Sequence, residues 1–196
     1  MATILQKGEA LLGKLLKNVP STNEKLTSAK VSAPQTFQVT SSAFQANGAI
    51  PKEYAATGAN ISPPIEFIGV PSSAQDLVLV VEDPDAPFPN PVVHWIIYNI
   101  PVGTKSLPKS IPHGESVSTP AGARQGNNYQ NKPGFSGPKP PVGHGVHHYH
   151  FQAFALDKRL SMSGTPTKND LVSALSGHVI AEGELVGTFE RVEGDD

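Results

Sequence analysis

The chain has 196 residues, 38% of them hydrophobic, and no cysteine. That length suits one domain with a substantial core and would crowd two. The missing cysteine excludes disulfides, thiolate catalysis and cysteine-type zinc sites and fits a reducing, cytoplasmic setting; the formal net charge of -2 excludes a global field that recruits nucleic acid, so any anion binding has to be local.

In chain order, Ile4, Leu5, Leu11, Leu12, Leu15, Leu16 and Val19 recur at helical spacing, with Lys7, Glu9, Lys14 and Lys17 between them. Residues 1–18 therefore read as an amphipathic helix, without the apolar run of a signal peptide or membrane span. A basic amphipathic helix suits a membrane surface, but the favoured expectation packs its leucine face on the domain or on a second subunit as a homodimer contact. Gly8 and Gly13 weaken it in isolation. Residues 20–34, rich in Ser, Thr and Lys, read as a linker. The division is then 1–36 for helix and linker and 37–196 for the main domain.

From Phe37 the pattern changes to strands. Residues 37–40 alternate, 62–67 suit a short edge strand, and 77–81 and 95–100 are apolar nearly throughout, as in central strands covered on both faces. Residues 147–156 and 184–192 are two more strands. One later helix, 167–176, starts at a Thr167/Asp170 cap and turns Leu171, Val172 and Leu175 inward. Many Pro and Gly turns with few helices give a mainly β fold, a two-sheet sandwich. The polar stretch 105–144 reads as a long loop bordering a cavity or making a surface excursion.

The stretch that organises the rest is Val80-Val81-Glu82-Asp83-Pro84-Asp85-Ala86-Pro87, followed by His94-Trp95-Ile96-Ile97-Tyr98. Proline locks its own φ and disfavours helix in the residue before it, so Asp83 and Ala86 sit in a stiff turn, with a cis bond at Ala86-Pro87 as an option. Asp-Pro-Asp alone also suits a plain turn cap. Four of the seven histidines lie in residues 144–150. In a strand His147 and Tyr149 share one face and His148 and His150 the other, so only half the cluster can line a pocket. His94, His147 and an aspartate are adequate zinc ligands, but no HExxH spacing supports a metal, and none is assigned.

Asp83-Pro84-Asp85-Ala86-Pro87, His94 and Gly137-Pro138-Lys139-Pro140-Pro141-Val142-Gly143-His144-Gly145-Val146-His147-His148-Tyr149 together resemble the phosphatidylethanolamine-binding protein family, also called Raf kinase inhibitor-like proteins. His94-Trp95 and Tyr98-Asn99-Ile100-Pro101 look most like its bacterial-type branch, and the similarity spans about residues 37–191. The resemblance implies a β-sandwich with a small anion pocket. It assigns Asp83, His94, Pro140, Pro141, His147 and Tyr149 to the ligand, with Asp85 and Pro87 shaping the turn beside them. Chemically, two imidazoles can donate to phosphate oxygens while a carboxylate orients them or meets a phosphoethanolamine ammonium. His148 and His150 are expected on a solvated strand face.

Three departures narrow the transfer: Val92 replaces an aromatic of animal members, His148 replaces an arginine, and the chain ends shortly after Arg191 without their closing helix. The preferred expectation is a soluble module that binds a phosphate-bearing headgroup or phosphorylated side chain, without a cofactor, and inhibits a kinase or protease by contact. The alternative is a phosphoester hydrolase using Asp83, Asp85, His94 and His147, but no Gly-x-Ser-x-Gly elbow, cysteine or Walker loop supplies an activated nucleophile. A third is an interaction protein with a vestigial site, dimerising through its first helix.

Overall fold

A computed structural model describes residues 4–31 and 33–194. Helix α1 spans Ile4–Leu16 and is followed by two short 3-10 turns, Asn23–Lys25 and Ser28–Lys30. The strands are β1 (Gln35–Thr36), β2 (Gln38–Thr40), β3 (Ile65–Ile68), β4 (Asp76–Asp83), β5 (Val92–Ile100), β6 (Ser106–Leu107), β7 (Arg124–Gln125), β8 (His147–Leu156) and β9 (Val179–Phe189), with α2 (Lys168–Leu175) between β8 and β9. A six-stranded sheet of order β1-β9-β8-β4-β5-β7 packs on a three-stranded sheet, β2-β3-β6. The fold is thus the expected mainly β two-sheet sandwich with few helices.

The apolar runs explain the layering. Every residue of β4 is buried, because one face (Leu77, Leu79, Val81) meets Phe37, Val39, Ile65 and Phe67 of the small sheet's layer, and the other (Val78, Val80) meets Leu171 and Leu175 of α2. Alternation along the strand places those sets on opposite faces. Thr167 caps α2 in a reciprocal box with Asp170, as the sequence predicts. The last strand begins at Val179, five residues before the expected start, because it pairs with β8 along nearly its whole length, Leu156 opposite Val179. Register, which sequence periodicity does not report, sets that boundary.

Within residues 20–34, expected as a linker, the segment 22–28 is strapped to the sandwich. Thr22 donates to the Pro84 carbonyl, 2.9 Å from its backbone N–H and 3.1 Å from its hydroxyl. The Thr27 N–H donates to the Glu82 carboxylate (2.8 Å), which also accepts from Gln152 and pairs with Lys168. A buried carboxylate held by several donors accounts for the docking of a segment with little apolar content. The Ala86-Pro87 bond is trans, and the cis bond lies at Thr119-Pro120.

Candidate functional site

The antiparallel order β8-β4-β5 brings the end of β4 beside the starts of its two neighbours, so Asp83, His94, His147 and Tyr149 gather at one end of the sheet. A bulge makes this possible. Val81 pairs with Trp95 and Glu82 with Val93, which leaves His94 as the extra residue of β5. Two consecutive residues then face the inner side: Trp95 enters the core, and the His94 ring stands edge-on to Tyr149 at 5.1 Å.

Asp83 closes the turn on itself. Its Oδ1 accepts from the N–H groups of Asp85 (2.9 Å) and Ala86 (3.1 Å), and its Oδ2 accepts from His147 Nδ1 at 2.8 Å. One oxygen of this aspartate thus caps the turn, and the other holds His147. Asp85 is the exception among the expected site residues. Its carboxylate accepts from the backbone N–H (2.8 Å) and Nδ1 (2.7 Å) of His148, on the other face of β8. Burial pushes the Asp85 carboxyl up, but the His148 hydrogen bonds outweigh it and hold the group below the usual range. Asp85 is thus a fastening between turn and strand, removed from the pocket because it lies two residues beyond the end of β4.

The other seven, Asp83, Pro87, His94, Pro140, Pro141, His147 and Tyr149, line one cavity of about 680 Å³. Its remaining wall is largely apolar, with Leu12, Leu16, Ala86, Phe88 and Val92, and Lys139 and Gln130 are its further polar side chains together with Tyr129. His94 Nδ1 donates to the Ser136 carbonyl at 2.6 Å, so Nε2 is the remaining nitrogen of a ring that lines the cavity. Burial lowers the His94 pKa, against the pull of the Asp83 charge, so the resting ring is neutral and Nε2 is an acceptor. The Tyr149 hydroxyl is buried close to Asp83, without a partner of normal hydrogen-bond geometry. Burial, and then the Asp83 charge, hold that phenol well above its ordinary pKa, so it keeps its proton.

His147 is not free to act as expected. Its Nδ1 is held by Asp83 and its Nε2 by Nδ1 of His144 at 2.7 Å, and His144 Nε2 donates in turn to the Leu16 carbonyl at the end of α1, 3.0 Å away. His144 is the site residue that sequence reasoning missed. The available signal was its flanking pair, Gly143 and Gly145, whose positive φ values of 74° and 110° turn the loop back over the strand. His148 takes the exposed face, as predicted, while His150 is half-buried against Glu184 at 2.8 Å. Among the described residues, no group of three or more His, Cys, Asp or Glu side chains converges to hold a metal ion.

α1 meets the domain with only part of its leucine face, Leu12 and Leu16, which line the cavity. Its small side rests on the domain: Ala10 is buried, and a Cβ at Gly13 would stand 2.1 Å from the Val142 carbonyl oxygen. Leu11, Leu12 and Leu15 are exposed. Amphipathicity identifies the apolar face of a helix but not its neighbour, and here the close approach at Gly13 decides the side.

Residues 40–190 match the family model described as Phosphatidylethanolamine-binding protein. A UPF0098 protein of Pyrococcus horikoshii is 44% identical over 151 residues, 77% of this chain and 75% of that one. Among solved structures, the phosphatidylethanolamine-binding protein homologue CT736 of Chlamydia trachomatis superposes with a TM-score of 0.71 at 39% identity, covering 80% of this chain and 99% of its own. YbcL of Escherichia coli gives 0.71 at 29% identity, covering 79% and 98%. α1 lies outside the residues that the family model matches.

Proposed function

The chain belongs to the phosphatidylethanolamine-binding protein family, and from that premise we propose that it is a binding module whose pocket takes the phosphate of a lipid headgroup or of a phosphorylated side chain. The observation that carries this reading is a largely apolar cavity lined by both the His94 ring and the buried Tyr149, whose hydroxyl lies by Asp83 but has no partner of normal hydrogen-bond geometry. A buried hydroxyl without a partner is costly in a folded protein, and a ligand oxygen supplies what it lacks. Tyr149 donates to that oxygen. His94 Nε2 meets a second oxygen once it has gained a proton, or accepts from a phosphate that brings one. Lys139 at the exposed rim adds a cation. Contact with a kinase or protease would use the same mouth, through a phosphorylated side chain presented to these groups.

The test is a histidine ring NMR titration with inorganic phosphate and with phosphoethanolamine, His94→Ala assigning the signal. The expected result is a saturable shift of the His94 ring that weakens by roughly tenfold in Tyr149→Phe, the loss of one hydrogen bond to a charged group. A His94 ring indifferent to both compounds would overturn the reading, and turnover of a phosphoester by the wild-type protein would replace it with the hydrolase.

A further inference from the structure

α1 is docked by its small side and leaves its large side uncovered. Leu11 is 62% exposed, Leu12 53% and Leu15 72%, while Ala10, Gly13, the Leu16 carbonyl and the Glu9–Arg191 ion pair at 3.5 Å hold the helix to the domain. A leucine stripe turned to water is unfavourable unless something covers it. Two further observations indicate what does. First, the stripe is flanked by like charge: Lys7 and Lys14, at four residues before and three after Leu11, stand exposed beside it, and the nearest acid, Glu9, is taken by Arg191. Second, the stripe runs into the pocket mouth, because Leu12 also lines the cavity and Phe88, on the same rim, is 58% exposed.

We propose that the outer face of α1 docks onto an anionic bilayer surface, leucines in the acyl boundary and lysines at the headgroups, with the pocket mouth turned to the headgroup layer. A basic amphipathic helix binds such a surface by buried apolar area together with electrostatic attraction. A second copy fits less well, because two-fold pairing of the stripe would set each lysine flank against its own counterpart. The proposal rests on the pocket reading for what is bound there, but the docking itself is measured separately.

Co-sedimentation of the full chain with vesicles of phosphatidylcholine, with and without phosphatidylglycerol, tests it, beside the same protein's phosphate titration. Expected is binding to the phosphatidylglycerol vesicles that weakens with added salt and falls by at least about tenfold in Leu11→Glu/Leu15→Glu, with the His94 phosphate response of that variant unchanged. Both leucines are exposed and outside the pocket, so the retained response shows that the variant is folded. Equal binding by variant and wild type, or none by either, overturns the docking. Dimerisation of the wild type that the variant abolishes, without vesicle binding, overturns it in favour of a second copy. Vesicle docking without any phosphate response leaves the surface standing and removes the pocket reading instead.

Discussion

At the scale of residues, the site is defined by which nitrogen atoms are already used. His147 spends both on protein partners and His94 spends one on the Ser136 carbonyl, so the proposed ligand has His94 Nε2 as its imidazole contact. Since burial lowers the His94 pKa, the free protein holds this ring neutral, and a phosphate oxygen bound at Nε2 draws a proton onto it. Binding is therefore expected to take up a proton. Calorimetry in two buffers of different ionisation heat measures this directly, and uptake that persists unchanged in His94→Ala would assign it elsewhere. The sign for stability is separate: a histidine whose folded pKa is lowered favours the fold above its unfolded pKa of about 6.5, and that contribution is lost as pH falls. Asp83 was legible in the sequence as a turn residue because Pro84 follows it, and its Oδ1 caps that turn; its place in the cavity wall came from the motif resemblance. The His94 bulge was not, since an extra residue in β5 appears only against the pairing of β4.

At the scale of elements, two glycines in α1 give opposite expectations. A Cβ at Gly8 would have nothing within 4 Å, so Gly8→Ala strengthens the helix by about 0.5–1 kcal/mol. Gly13→Ala improves the same intrinsic propensity but sets a Cβ at 2.1 Å from the Val142 carbonyl oxygen, so α1 lifts away and His144 loses its Leu16 carbonyl. Hydrogen exchange across α1 and the loop at Val142–His144 should slow in the first variant and quicken in the second. Similar protection in both would mean that the small side of α1 is not the docking side. Helix α1 itself was readable from its leucine spacing, and so was the strand identity of β4, β5 and β8 from their apolar runs. The orientation of α1 was not, because periodicity names a face and the close approach at Gly13 names its partner. The docking of residues 22–28 escaped for a related reason: it depends on Glu82, whose partners Thr27, Gln152 and Lys168 come from three distant parts of the chain.

At the scale of the whole molecule, the buried end of β4 opposite the pocket sets a pH dependence. Burial pushes the Asp76 carboxyl up to about 6, against the Leu160 backbone and the Arg159 charge. The folded state thus holds this proton more tightly than the unfolded chain, and stability falls as pH rises from about 4 to about 6. Above that range Asp76→Asn should be the more stable protein, by up to about 3 kcal/mol at about 1.4 kcal/mol per pH unit. Denaturant midpoints of the two proteins across that range test it, their difference cancelling the opposite slope from His94; a constant difference would remove Asp76 as the cause. The other end of β4 is tied to the first helix through a relay of side chains. Leu16, His144, His147 and Asp83 form three hydrogen bonds in series, and the carbonyl at one terminus and the carboxylate at the other both accept. The outermost acceptor belongs to the last turn of α1. Whatever lifts that helix from the domain therefore also releases His144, and with it the side chain that steadies His147 against Asp83 in the pocket wall.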